Sequence, residues 1–157
     1  MRGGQVLPRL SIEQLLACCA SRRWALRMDA AAPYPDVAEL LATADAELAA
    51  LGWRDVTEAL AAHPRIGQRP TGTGQEAEWS RHEQAAAVGS DAELAAANEA
   101  YERKFGRVFL ISAAGRAADE VLAESRRRLA NNEVAERDEV RRELAAIVRG
   151  RLARCAG

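Results

Sequence analysis

The sequence predicts an all-α fold, a single-domain helical bundle of seven or eight helices, some of them short. Three observations predict it. Apolar residues recur at three- and four-residue spacings along most of the chain. Ser and Asp stand at the heads of those runs, several with Glu or Gln three positions on, as a capping box requires. Only 4% of the chain is aromatic against 48% hydrophobic. The core must therefore be mostly Ala, Leu, Val and Ile, and Ala is the strongest helix former.

Residues 1–10 read as an arm ending near Pro8, and 11–157 as one helical domain without an internal repeat or a dividing linker. Ser11 caps the first helix with Gln14 as its partner, and Ile12, Leu15, Leu16 and Cys19 form its apolar face. Trp24 either closes that helix or packs beside it. Pro33 and Pro35 break the chain. Asp36 caps the next helix, whose face is Val37, Leu40, Leu41, Ala44 and Leu48. Residues 53–62 form a short helix with Val56 and Leu60 inward. The stretch 63–79, HPRIGQRPTGTGQEAEW, is the longest irregular segment, punctuated by Pro64, Pro70 and three glycines. A loop of that size is either a binding or catalytic loop or a flexible insertion. Helix resumes over 80–88, where Ser80 and Glu83 make a capping box, and Ser90 with Glu93 repeats the arrangement. Leu94, Ala97, Tyr101 and Phe105 are the next stripe, and Gly106 ends it. Val108 to Ser112 reads as a brief extended segment, which makes no sheet alone. Residues 119–130 and 133–155 are the last two helices.

Composition and motifs exclude several classes. The formal net charge is −1, so the whole-chain basic excess of a duplex binder is missing. No apolar run approaches the roughly 20 residues that cross a bilayer. Glu13 and Gln14 interrupt the first apolar stretch, which makes it a poor signal peptide, and the expected location is cytoplasmic. Cys18, Cys19 and Cys155 are odd in number, with two adjacent, so free thiols are expected rather than a disulfide framework. That spacing, with only two histidines, matches no zinc pattern, and no metal site is expected. GQRPTGTG lacks the context and the Lys-Ser/Thr ending of a phosphate-binding loop. The run Arg126–Arg127–Arg128 either touches nucleic acid or forms a solvated helix face. The mixed charges that follow favour the solvated face.

The final helix carries a polar group on its apolar side. With Leu144 at 0°, Val140 falls at about −40°, Ile147 at about −60°, Val148 at about 40° and Cys155 at about 20°. Arg151 falls at about −20°, inside that arc, while Arg149 and Arg142 lie well outside it. A guanidinium there either holds a ligand carboxylate, makes an internal salt bridge, or snorkels to solvent. His63 opens the irregular loop and is either a proton donor and acceptor near neutral pH or a loop-packing residue. Glu83 is either a second proton-handling or orienting group or simply the capping partner of Ser80. Gln84 either hydrogen-bonds a polar heterocycle or faces solvent.

Five pieces then fall in one order: AHPRIG at 62–67, WSRHEQ at 79–84, LAAANEAYERKFGRVFLI at 94–111, RRRLANN at 126–132, and a tail of Glu143, Ile147, Arg151 and Leu152. With them the chain resembles the 2-oxo-4-hydroxy-4-carboxy-5-ureidoimidazoline (OHCU) decarboxylase family of urate breakdown. The resemblance covers nearly everything beyond the first few residues, and HPRIG joined to SxxEQ and NxxYxxKFG is a specific combination.

The resemblance implies an all-helical enzyme that uses no cofactor, often dimeric, acting on a small ureidoimidazoline and forming (S)-allantoin. It implies that His63 is the catalytic acid/base and that Glu83 shares or orients the proton work. Ser80, Gln84 and Pro64 contact substrate, as does the segment after KFG, with Phe109, Ile111 and Ala113. A late arginine binds the substrate carboxylate, and the helical wheel selects Arg151 over Arg149. One departure stands out. Where the family often reads KFGFPF, this chain has Arg107 and Val108 in place of an aromatic and a proline. That change bears on the wall of the pocket or the entry path rather than on the proton-handling or anion-binding groups. Two rival classes remain: a decarboxylase or hydrolase acting on a related ureido compound, and a non-catalytic helical interaction module.

Overall fold

The computed structural model describes residues 4–66, 78–79 and 91–157. Among them are seven helices and no strand, as the all-α prediction requires. They are α1 (Ile12–Cys18), α2 (Arg22–Ala31), α3 (Val37–Ala49), α4 (Trp53–Leu60), α5 (Asp91–Phe105), α6 (Ala118–Leu129) and α7 (Glu133–Ala156). The expected helix over 80–88 and the Ser90 cap lie outside the described residues. The chain divides into two compact units, one made of the chain up to Ala59 with Ala145–Gly157, the other of Leu60–Leu144.

In the first unit, local chemistry sets the helix ends. The Gln14 N–H donates to Ser11 Oγ at 3.1 Å and the Ser11 N–H donates to Gln14 Oε1 at 2.8 Å, the reciprocal capping box. Helix α1 stops at Cys18, and Ser21 caps a separate helix, accepting from the Trp24 N–H at 3.3 Å. Trp24 therefore belongs to a helix of its own, buried with Ala25 and Met28. Its ring N–H donates to the Ala44 carbonyl at 3.3 Å, which satisfies the one polar atom the burial would strand. Asp36 caps α3 by accepting from the Glu39 N–H at 2.8 Å. The arm is tied down: the Leu7 N–H donates to the Tyr34 carbonyl at 2.8 Å, and Arg9 pairs with Asp29 at 2.9 Å.

In the second unit, α5 packs on α6. Gly106, at φ +71°, ends α5, its N–H donating to the Glu102 carbonyl at 2.8 Å. That left-handed turn is one that side chains with a Cβ disfavour. Lys104 Nζ donates to the Leu129 carbonyl at 2.6 Å, so a side chain of α5 satisfies an orphan acceptor at the end of α6. Asn132 accepts from the Ala135 N–H at 2.9 Å and caps α7. One hydrophobic cluster holds the unit: Ile66, Leu94, Tyr101, Phe109, Ile111, Ala113, Val121 and Leu122. Residues 108–113 have no regular secondary structure.

The α7 wheel holds. Val140, Leu144, Ile147, Val148 and Leu152 are buried, Arg142 and Arg149 are exposed, and Arg151 is buried at 2% exposure.

Candidate active site

The chain leaving α4 carries the histidine. The His63 N–H donates to the Leu60 carbonyl at 3.0 Å, closing a turn that leaves His63 and Pro64 half-buried. The next two residues are anchored to α5. Arg65 forks onto Glu102, Nε to Oε1 at 2.6 Å and Nη2 to Oε2 at 2.8 Å. Ile66 is buried, and its carbonyl accepts from Asn98 Nδ2 at 2.8 Å. Asn98 and Glu102 stand four residues apart, hence on one face of α5. The strip that follows the histidine is thus held by a buried amide and an exposed ion pair.

Ile66 shares its cluster with Phe109, Ile111 and Ala113, all of them buried. The structure therefore brings together the strip beginning at His63 and the segment that follows KFG. Two groups from other elements hold the main chain of that segment: the Ser112 N–H donates to Glu143 Oε2 at 2.9 Å, and the Leu110 carbonyl accepts from Arg128 Nη1 at 2.7 Å. Arg116 pairs with the other oxygen of Glu143 at 3.6 Å.

Arg128 corrects the expectation of a solvated arginine face. Arg126 and Arg127 are exposed, but Arg128 is fully buried and pairs with Glu136, itself fully buried. The cause is register: Val121, Leu122, Ser125 and Arg128 share the inner face of α6. The Arg107 departure is also explained. Arg107 Nη1 lies 2.8 Å from Glu133 Oε1, and its guanidinium sits 5.3 Å from the centre of the Phe105 ring. The side chain is only 12% exposed. It secures the turn after α5 to the start of α7. Arg107, then Arg137, holds the Glu133 carboxyl below the usual carboxylate range.

Arg151 belongs to the other unit. Its Nη1 donates to the Ala17 carbonyl at 3.1 Å, and its burial removes the snorkelling alternative. Beside it, Cys18 Sγ lies 4.0 Å from Cys155 Sγ. Burial pushes the Cys18 thiol well above its usual range, Cys155 adds to the effect, and the charge of Arg151 opposes it. Cys18, Cys19 and Cys155 are not joined in a disulfide. Ser80, Glu83 and Gln84 lie outside the described residues. Among the described residues no group of three or more His, Cys, Asp or Glu side chains is arranged to hold a metal ion.

Sequence reasoning missed Asn98, Glu102, Glu143 and the Arg128–Glu136 pair. The signal for Asn98 was present. On a wheel with Leu94 at 0°, Ala97, Tyr101 and Phe105 fall between about −60° and 20°, and Asn98 at about 40° borders that arc.

Comparison with known proteins gives concordant results. A family model described as OHCU decarboxylase matches residues 8–153. The chain is 31% identical over 126 residues to the uric acid degradation bifunctional protein TTL of Arabidopsis thaliana. That match takes in 76% of this chain and 39% of the Arabidopsis protein, so the chain spans about two fifths of that relative's length. A crystal structure of OHCU decarboxylase in the presence of (S)-allantoin superposes with a TM-score of 0.80 at 29% identity, covering 93% of this chain and 98% of the other.

Proposed function

Because the chain belongs to the OHCU decarboxylase family, we propose that it decarboxylates 2-oxo-4-hydroxy-4-carboxy-5-ureidoimidazoline to (S)-allantoin in urate degradation. The observation that carries this reading is the family match over 8–153, which runs through every residue assigned a role, from His63 to Arg151. In the reaction the bond between the ring carbon and the carboxylate breaks and its electron pair passes into the conjugated ring. A proton then arrives at one face of the product carbon. The ring itself delocalises the charge, so the chemistry calls for orientation and proton delivery.

His63 is the acid/base of this scheme, and Glu83 orients it or shares the proton. The anchoring of Arg65 and Ile66 to α5 supports that role, since it fixes the main chain just after the histidine. Pro64, Ser80, Gln84 and the 109–113 segment hold the heterocycle. Arg151 binds the substrate carboxylate, a role supported by a buried guanidinium in the arc of α7 that otherwise buries Val, Leu and Ile. Too strong a grip on the departing group would stabilise the ground state, so Arg151 acts by orientation more than by neutralisation. Residues 11–157 work as one domain with 1–10 as its arm, in a homodimer. Free thiols suit the reducing cytoplasm.

The test is a His63→Ala protein assayed on substrate generated in situ. Loss of general acid/base catalysis predicts a fall of about 10²–10⁴-fold in rate, with racemic product. An unchanged rate with unchanged chirality would remove His63 from the scheme.

A further inference from the structure

A buried ion pair is a weak way to stabilise a fold. Apolar residues of the same volume often do as well, because the cost of removing both charges from water is seldom recovered. The fully buried pair of Arg128 and Glu136 therefore calls for another explanation, and its geometry supplies one. Arg128 Nε donates to Glu136 Oε1 at 2.6 Å, and Tyr101 Oη donates to the same oxygen at 3.1 Å. Burial, then Glu136, pushes the Tyr101 hydroxyl up to about 12, so it stays a donor throughout the physiological range. The other oxygen of Glu136, Oε2, accepts from Asn131 Nδ2 at 3.3 Å, so three side chains hold the carboxylate. One guanidinium nitrogen, Nη1, reaches away from this pair to the Leu110 carbonyl at 2.7 Å. The guanidinium carbon lies over the Phe109 ring, 4.6 Å from its centre. Phe109 and Tyr101 meet edge to face, with centroids 5.2 Å apart and planes at 68°.

We infer that Arg128, braced by Glu136 and Tyr101, is a positioning residue that sets the Phe109–Ala113 segment for substrate, through the Leu110 carbonyl and the Phe109 ring. The inference rests on the reading of that segment as a substrate contact. Arg128 touches no reacting atom. It fixes two things: the plane of the peptide between Leu110 and Ile111, and the rotamer of Phe109. Glu143, through the Ser112 N–H, supplies the second point of suspension. A planar, rigid donor with several N–H groups can serve a carboxylate and a carbonyl in one geometry while stacking on a ring. The ammonium of lysine has no plane to stack and no fork.

The test compares wild type, Arg128→Lys, and a charge-free triple variant, Arg128→Met with Glu136→Leu and Tyr101→Phe, which leaves no stranded charge. Each is measured for cooperative unfolding, for KM and kcat with the chirality of the product, and for amide hydrogen exchange at 109–113. The expected result is that both variants fold, that exchange at 109–113 rises at least tenfold while α5 and α7 are unaltered, and that KM rises at least tenfold with eroded product chirality. A purely structural role would raise exchange across α5, α6 and α7 together and leave KM untouched per folded molecule, and that would overturn the inference. If Arg128→Lys does not fold, the triple variant alone decides by the same criteria. If neither folds, the pair is an element of stability and the inference fails. Wild-type protein without decarboxylase activity would sink the proposed function instead, and the exchange measurement would still report on positioning.

Discussion

Replacing Asn98 should damage this protein more than replacing Arg65, although among the described residues Arg65 makes two side-chain bonds and Asn98 one. The Asn98 amide is buried and donates to the Ile66 carbonyl at 2.8 Å. Asn98→Asp keeps the shape but offers no N–H and turns an oxygen toward that carbonyl. A buried acceptor left unsatisfied costs about 1–3 kcal/mol. The Arg65–Glu102 fork has an arginine side chain 48% exposed, and pairs of that kind contribute about 0.2–1 kcal/mol. At roughly 2–4 °C of melting temperature per kcal/mol for a chain of this size, a loss of about 2 kcal/mol lowers Tm by about 4–8 °C. Arg65→Ala should lower it by about 0.4–4 °C on the same scale. Activity should follow, because the Ile66 carbonyl lies three residues after His63, the proposed acid/base, and a small misplacement of such a group costs up to about 10²-fold. The assay is a thermal melt paired with the decarboxylation rate, with Asn98→Ala as a companion variant. If both Asn98 variants melt within about 1 °C of wild type, or Arg65→Ala is the more damaging, the anchoring argument is wrong.

Three further outcomes follow from individual contacts. In its proposed role at the substrate carboxylate, Arg151→Lys should lower kcat/KM by about tenfold to a hundredfold, since it exchanges a planar fork for a point charge, and steady-state kinetics normalised to folded protein would show it. Alkaline unfolding should reveal Tyr101: the unfolded hydroxyl loses its proton near 10 and the folded one near 12, so the unfolded chain binds fewer protons and stability falls as pH rises across that window. Denaturant titrations through that range should show the slope in wild type and not in Tyr101→Phe. Finally, an alkylating reagent at about pH 8 should label half-buried Cys155 before the fully buried Cys18, whose thiol is pushed well above its usual range. Peptide mass mapping that finds Cys18 labelled first would contradict the burial argument.

What the sequence disclosed follows one rule: features that depend on a residue's own helix were legible, and features that depend on a distant partner were not. The Ser11 and Asp36 caps, the Gly106 terminus and the buried arc of α7 all arise within a few residues of the signal. Helix α2 escaped because Arg22, Arg23 and Arg27 crowd Trp24, Ala25 and Met28, so its apolar stripe is narrow. Arg128 looked like one charge among three, and only the inward face of α6 and the arrival of Glu136 eight residues on distinguish it. Arg107 and Val108 read as a change in a pocket wall or entry path, and the pairing of the arginine with Glu133 and its place beside the Phe105 ring depend on partners its own stretch does not mark. The motifs that carried the resemblance also proved partly architectural. In the NxxYxxKFG stretch, Asn98 holds Ile66, Tyr101 braces Glu136, Lys104 closes α6 and Gly106 turns the chain.

The most direct test of the central claim is to generate the unstable ureidoimidazoline from urate with the upstream enzymes, add this protein, and follow the product by circular dichroism. Rapid growth of an (S)-allantoin signal above the racemic background is the predicted result. Folded protein that leaves the spontaneous rate and the racemic outcome unaltered would contradict the account.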